Sequence, residues 1–271
     1  MPMFAPQCDW LTIASYNFKA YTDLAAWLRT TYTGKWKSGR WLQYDGFNGP
    51  SVFYGKALQS HGKEHYIMKV SGLMSGDVLA KILPQVWIEN WYATRIDLEA
   101  TIKQPDWWLP RDTADAIGDY ARKKPTLIES ETGSTVYVGS RSSGRFVRLY
   151  EKELMNIAHL RCEIELKADH ARLAWHYLLE GSTVRSLFAA HLDKLPIPDY
   201  IKDTYMPGER EELDLKIAQK ESDDAKTMKW FKSLIPKFEK MANDHAIGFQ
   251  FRSILMSILV NSGDNDYDNP N

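Results

Sequence analysis

Cysteine is scarce in this chain: Cys8 and Cys162 are the two among 271 residues, and neither belongs to a CxxC pair. That excludes a disulfide scaffold and a cysteine-held zinc site, and it suits a reducing compartment. Long apolar runs are missing too. The longest, such as Ile254–Val260, fall far short of a bilayer span. The opening MPMFAPQCDW has no basic segment followed by a long apolar one, so no secretory leader and no membrane association are expected. Neither a GxxxxGK[ST] nor a GxGxxG pattern occurs, which gives no indication of ATP or NAD use. Excess charge of one sign is lacking as well, the net being −1. A general electrostatic attraction to nucleic acid is therefore excluded, and a local basic groove is not.

What is present is an ordinary globular composition, 44% hydrophobic and 25% charged, with an unusual 13% of aromatic residues that includes ten Trp. Such rings fill cores, and they also stack on bases. From Asp199 onward there are 14 Asp/Glu against 10 Lys/Arg, which leaves 24 basic and 21 acidic residues in the first 198. The body is slightly positive and the tail negative. Along the chain, "DWLTIASYNF" reads as a strand and "DLAAWLRTTY" as a helix with Leu24, Trp27 and Leu28 on one face. Short Gly-broken strands follow in "RWLQYDGF", "SVFYGKAL" and "HYIMKVSG". The pattern predicts a helix around Asp77–Asn90, a strand in "YATRIDLEATI", and a helix opened by Asp112 or Thr113 as N-cap. A hairpin, the strand "HLRCEIELKA" and helical pattern from Asp169 to Leu192, interrupted near Gly181, complete the body. This interspersed order predicts an α+β fold: a largely antiparallel central sheet, helices packed on one face and a helical C-terminal tail, in an order that suggests two similar halves.

Alternation along three strands sorts their side chains into faces. Arg95, Asp97, Glu99 and Thr101 share one face, and so do Arg161, Glu163, Glu165 and Lys167. In the hairpin "TVYVGSRSSGRFVRLYEKEL" the second strand puts Phe146, Arg148, Tyr150 and Lys152 on one side and Arg145, Val147 and Leu149 on the other. Two readings stand side by side. The faces are solvated outer surfaces of a half-exposed sheet, or they meet in one site. Gathered carboxylates hold hard divalent ions, and a tyrosine beside such an ion can attack a phosphodiester while cations stabilise the charge gathering on phosphorus.

"RIDLE", then the hairpin, then "RCEIELK", in this order and spacing, resemble the replication initiation factor family of rolling-circle plasmids, phages and related conjugative elements. The earlier "HYIMKVSG" is similar to the family's strand ending in Ser-Gly. The resemblance spans residues 10–190 or so. It implies a nickase and strand transferase, or a relaxase, whose tyrosine keeps the 5′ phosphate covalently and frees a 3′ hydroxyl. On that match Tyr150 is the nucleophile, with Arg148 and Lys152 managing phosphate charge. Asp97 and Glu163 match the acidic positions that would hold Mg²⁺ or Mn²⁺, with Glu99 and Glu165 as helpers. The family often carries a further acid where this chain has Thr101. No His-x-His occurs, so carboxylates carry any metal. The resemblance also implies a bacterial host, in whose cytoplasm the scarce cysteines fit. The Pro-rich break "LPIPDY", the helical pattern after it and the polar "NSGDNDYDNPN" divide the chain into a nickase domain over 1–198, a helical extension over 199–260 and a disordered tail over 261–271. The extension is a candidate for homodimerisation, origin recognition or recruitment of a host helicase.

Other residues are weighed against this frame. Tyr137 and Tyr177 are rival nucleophiles. Arg141 and Arg145 in the turn, and Lys35, Trp36, Lys37 and Arg40 in "TGKWKSGRW", are candidate contacts to single-stranded or melted DNA, against plainer roles as a polar turn and as core anchors. His159, His170 and His176 have no consistent metal spacing. A non-catalytic DNA-binding regulator or origin-recognition protein on the same fold is the alternative to a nickase.

Overall fold

The computed structural model describes residues 4–32, 36–41, 44–48, 51–58, 64–121, 124–131, 133–208 and 213–217, with backbone alone for 4, 38–41, 44–48 and 57–58. Strand β1 (Phe4–Ser15) leads into α1 (Phe18–Thr31), whose first turn is held by the Asn17 side chain accepting the Ala20 N–H. Leu24 and Leu28 of α1 are fully buried, and Trp27 packs on the core beside them. Four strands follow: β2 (Lys37–Trp41), β3 (Tyr44–Asn48), β4 (Val52–Leu58) and β5 (Glu64–Ser71). Then come α2 (Met74–Ile82) and β6 (Tyr92–Lys103). The helix expected over 77–90 stops at Ile82: Leu83 is still helical in backbone, but Pro84 has no N–H to continue the ladder, and a 3-10 turn at Val86–Asn90 replaces its end.

Helix α3 (Pro110–Gly118) starts earlier than an Asp112 or Thr113 cap would place it. Pro110 occupies the first helical position, where no N–H is needed and φ is preset, and Asp112 sits in the first turn near the positive helix end. A strand the sequence reading did not anticipate, β7 (Thr126–Ser130), precedes β8 (Gly133–Val138), β9 (Arg145–Leu154) and β10 (Ile157–Lys167). The chain then forms α4 (Ala168–Leu179), α5 (Val184–Asp193) and α6 (Asp199–Tyr205). Ile201 and Tyr205 of α6 are completely buried, so the compact unit continues past the Pro-rich break at 195–198 and reaches Ile217. Residues 218–271, where most of the expected helical extension and the whole tail fall, lie outside the described residues.

All ten strands join one sheet in the order β2-β3-β4-β5-β1-β6-β10-β9-β8-β7, and every described pairing is antiparallel. The order divides at the β1–β6 pair into two halves of like topology. In each, a central strand is followed by a helix, and four strands then meander from the sheet edge back to pair with it. The fold is α+β with two similar halves. Leu11, Ile13, Ile96, Leu98, Cys162, Ile164, Val147 and Leu149 line one face and are buried at 2% exposure or less. The helices pack there, α2 and α5 on β1, α4 on β6 and α3 on β8. No helix among the described residues is long and apolar enough to cross a membrane.

A candidate active site on the charged face

The face without helices carries the charged residues. Its register is set where β9 turns into β10. Met155 and Asn156 both take positive φ (53° and 59°), the twist a two-residue hairpin needs. Leu154 therefore pairs with Ile157, Tyr150 lies opposite Arg161, and Arg148 lies opposite Glu163. On the other side of β10, Glu163 faces Glu99, Glu165 faces Asp97, and Arg161 faces Thr101. The three charged strands are thus neighbours, and the charged residues share a site.

The carboxylates are withdrawn from solvent. Asp97 and Glu99 are 1% exposed and Glu163 is 3% exposed. Burying so many carboxylates demands counter-charges and hydrogen bonds, and the same strands supply them. Arg95 holds Asp97 by two bonds (Nε–Oδ1 2.8 Å, Nη2–Oδ2 2.5 Å) and reaches Glu165 at 3.1 Å. Lys167 Nζ sits 2.5 Å from Glu165 Oε1. Arg148 Nη2 pairs with Glu163 Oε1 and lies 3.8 Å from Glu165 Oε2 and 3.9 Å from Asp97 Oδ2. Arg161 pairs with Glu99 and donates through Nε to Thr101 Oγ1 at 2.9 Å. Four cations, Arg95, Arg148, Arg161 and Lys167, thus meet the carboxylates of Asp97, Glu99, Glu163 and Glu165. Thr101, standing where an acid was expected, has its own task of seating Arg161.

Strand β1 adds three residues that the sequence reading missed. The Gln7 amide donates to Glu99, Asp9 lies 4.0 Å from Arg161, and the Arg95 guanidinium stacks over the Trp10 ring at 4.7 Å. A bulge at Asp9 brings Gln7 opposite Glu99 and Trp10 opposite Asp97. The Asp9 carbonyl that the bulge frees is taken by the Gly72 N–H at 2.7 Å and the Ser75 hydroxyl at 2.9 Å.

Tyr150 is half-buried in this network, and its hydroxyl donates to Glu163 Oε2 at 3.2 Å. Burial, and after it the Glu163 charge, push the phenol well above its ordinary range. Burial likewise raises Glu163 from 4.5 to about 7, against the pull of Arg148. Asp97 is raised for the same first reason. Lys152, on the same face, has no carboxylate partner among the described residues. Of the rival tyrosines, Tyr137 stacks on Phe146 with its ring centroid 5.6 Å away, beside the site on β8. Tyr177 donates to the Asp214 carbonyl at 2.9 Å on the helix side of the sheet.

The basic candidates separate. Arg141 spreads over the Tyr137 ring at 5.3 Å and lies on the charged face. Arg145 points to the helix face and donates to the Lys194 carbonyl at 3.2 Å, as strand alternation requires. Trp36 packs on the core against Tyr54 (5.3 Å between centroids), and Lys37 is exposed. Lys35 and the Arg40 side chain lie outside the described residues. His159 is buried with Nδ1 against the Ile157 carbonyl and lies opposite Lys152 on the charged face, whereas His176 pairs with Glu180 on exposed surface.

A family profile described as "Replication initiation factor" matches residues 113–259, more than half of the chain. The chain belongs to the replication initiation factor family. The matched span holds Arg148, Tyr150, Lys152, Glu163 and Glu165, and it begins after Asp97 and Glu99. Among solved structures, the chain is similar to a rolling circle replication initiator protein from Geobacillus stearothermophilus. The two are 14% identical, the match covers 79% of this chain and 92% of that one, and the TM-score is 0.52. That likeness concerns the fold. No curated protein matches.

A divalent ion is part of the expectation for such a protein. Among the described residues no group of three or more His, Cys, Asp or Glu stands at metal-holding spacing. The donors nevertheless fit in kind. Oxygens of Asp97, Glu163 and Glu165 all approach one nitrogen, Arg148 Nη2, and carboxylate oxygens are what Mg²⁺ and Mn²⁺ take. A guanidinium stands where these carboxylates point.

Proposed function

We propose that this protein initiates rolling-circle replication by cutting one DNA strand with Tyr150 and later rejoining ends. The observation that carries the reading is the Tyr150–Glu163 hydrogen bond inside a buried, charge-matched network. A phenol above its ordinary range needs a base to become a nucleophile, and a carboxylate poised near pH 7 is suited to accept its proton. In the proposed step the Tyr150 oxygen attacks phosphorus and its proton passes to Glu163. The P–O3′ bond breaks, and its electron pair leaves on the 3′ oxygen. The protonated Glu163 returns its proton to that oxygen, which yields a 3′ hydroxyl and a 5′-phosphotyrosine. Rejoining is the reverse, with a 3′ hydroxyl as attacker. Lys152 offers its free charge to the scissile phosphate, and Arg148 offers its own when it turns from Glu163. Asp97, Glu163 and Glu165 would hold Mg²⁺ or Mn²⁺, whose chemistry there is to polarise a phosphoryl oxygen. The bound strand would run past Arg141 over the exposed face.

One observation favours a second reading. Every one of the four carboxylates already has a cationic partner, as in a site that binds DNA without cutting it. Cleavage of a single-stranded oligonucleotide pool with Mn²⁺ separates the two. Wild-type protein should nick, and Tyr150→Phe, which loses one hydroxyl, should bind the pool equally and nick at least 10³-fold more slowly, a loss of about 4 kcal/mol of transition-state stabilisation. Wild-type rates in Tyr150→Phe would end the assignment, and Tyr137 would be next.

A further inference from the structure

The opposite face of the same hairpin carries a second concentration of nitrogen donors, and cleavage makes no use of it. Arg145 is half-buried there and has no carboxylate within ion-pair distance among the described residues. Its one described bond goes to the Lys194 carbonyl. This differs from the charged face, where Arg95, Arg148 and Arg161 all have acids. Arg145 and Lys194 form the wall between two clefts of about 650 and 600 Å³. The larger is lined also by His170, Asp214 and Lys216, and the smaller by the Ser140 and Ser143 hydroxyl-bearing residues of the turn. Three cations, Arg145, Lys194 and Lys216, thus face one carboxylate in the larger cleft, with Asp193 a further 3.6 Å neighbour of Lys194.

Behind this wall lie two histidines with unused nitrogens. His191 is completely buried, and neither ring nitrogen has a hydrogen-bond partner among the described residues; Nδ1 of His170 is also buried without one there. Their rings meet edge to face at 6.4 Å. Burial, and after it the Arg145 charge, lower the basicity of both. Both rings are thus neutral, and of the two only His170 lines the cleft. The turn is pressed onto this pair: a Cβ on Gly144 would come within 2.6 Å of His170 Cδ2, so only glycine lets the strand start here. A half-buried cation with no acid beside it among the described residues is costly unless a ligand supplies the counter-charge.

We infer that the cleft at Arg145, His170 and Lys194 is a phosphate-binding site, separate from Tyr150 and on the other side of the sheet. The site takes a tetrahedral phosphate group, with Arg145 as its bidentate anchor. A DNA backbone phosphate and a free phosphate or nucleotide present the same chemistry. The inference does not depend on cleavage, because Tyr150 and the carboxylates lie on the other face.

The test uses the full chain. Inorganic phosphate is titrated at constant ionic strength against wild type, Arg145→Gln and, as a remote control, Lys103→Gln, and binding is followed by calorimetry. The salt dependence of single-stranded DNA binding is measured on the same proteins. Phosphate binding at least tenfold weaker in Arg145→Gln alone, with an unchanged salt slope, supports the site and assigns it to free phosphate or a nucleotide. A salt slope flattened by about 0.7 in Arg145→Gln assigns it to the DNA backbone. Equal phosphate binding and equal slopes in all three proteins overturn the inference. Should Arg145→Gln fail to fold, the ring C–H resonances of His170 and His191 in wild type decide. They must shift with phosphate or with DNA and not with chloride, and no shift with either overturns the inference. Tyr150→Phe should give the wild-type result throughout, so loss of cleavage and loss of this site are read apart.

Discussion

Glu163→Gln isolates the group on which the proposed chemistry turns. Burial raises the Glu163 carboxyl from 4.5 to about 7 in the folded protein. The folded state therefore prefers the protonated acid more than the unfolded chain does. That preference contributes stability fully below pH 4.5 and loses it as pH rises through about 7. One pKa unit corresponds to about 1.4 kcal/mol, so wild type should lose about 3 kcal/mol across this window. Glutamine mimics the protonated acid and cannot ionise, so the variant should keep that share. Urea unfolding from pH 4.5 to 8 on both proteins gives a difference curve from which the other titrating groups largely cancel. It should rise by about 3 kcal/mol in favour of the variant and level off above pH 7. Asp97 shares the site and is raised too, so part of the slope belongs to the pair. Catalysis should run the other way. An ionised Glu163 is needed to take the Tyr150 proton, so nicking by wild type should climb through pH 7 as stability falls. A flat difference curve would refute the reasoning, because Glu163 would then be an ordinary salt-bridged acid.

Further outcomes follow from the same contacts. Arg161→Met strands the Glu99 carboxylate, which is 1% exposed and keeps only the Gln7 amide, and should cost about 3–5 kcal/mol by urea unfolding; a loss under about 1 kcal/mol would mean that Glu99 is protonated or solvated. Arg141→Ala removes a cation from the charged face and should flatten the salt slope of single-stranded DNA binding by about 0.7, with affinity falling alike for all sequences. An unchanged slope would mean that the turn contacts no DNA from that face.

The strands that carry the site were legible one at a time. Alternation in "RIDLEAT", "RFVRLYEK" and "RCEIELK" gave each its apolar and charged face, and the faces in the structure are those. What alternation cannot supply is the row in which residues meet. That depends on the Met155–Asn156 turn, where a methionine at positive φ gives no compositional signal. The part played by β1 was hidden by the Asp9 bulge, which puts Gln7 and Trp10, three apart, on one face. Burial of the charged face was also invisible, because it arises from arginine and carboxylate matched across strands and from Trp10 alongside. Reading the acids as metal ligands left out Arg95, Arg161 and Lys167, which stood in the same quoted strands. Alternation already set Arg145 on the face opposite Arg148 and Tyr150; Arg141 stands in the turn, where alternation assigns no face, and only the structure puts it over Tyr137.

The most direct test of the central claim is to trap and map the protein–DNA adduct. Wild-type protein is incubated with a single-stranded oligonucleotide pool and Mn²⁺, digested with protease and nuclease, and analysed by mass spectrometry. The account predicts a nucleotide attached through a 5′ phosphate to the peptide containing Tyr150, and none in Tyr150→Phe. An adduct on Tyr137 or Tyr177, or cleavage by wild type with no adduct at all, would contradict it.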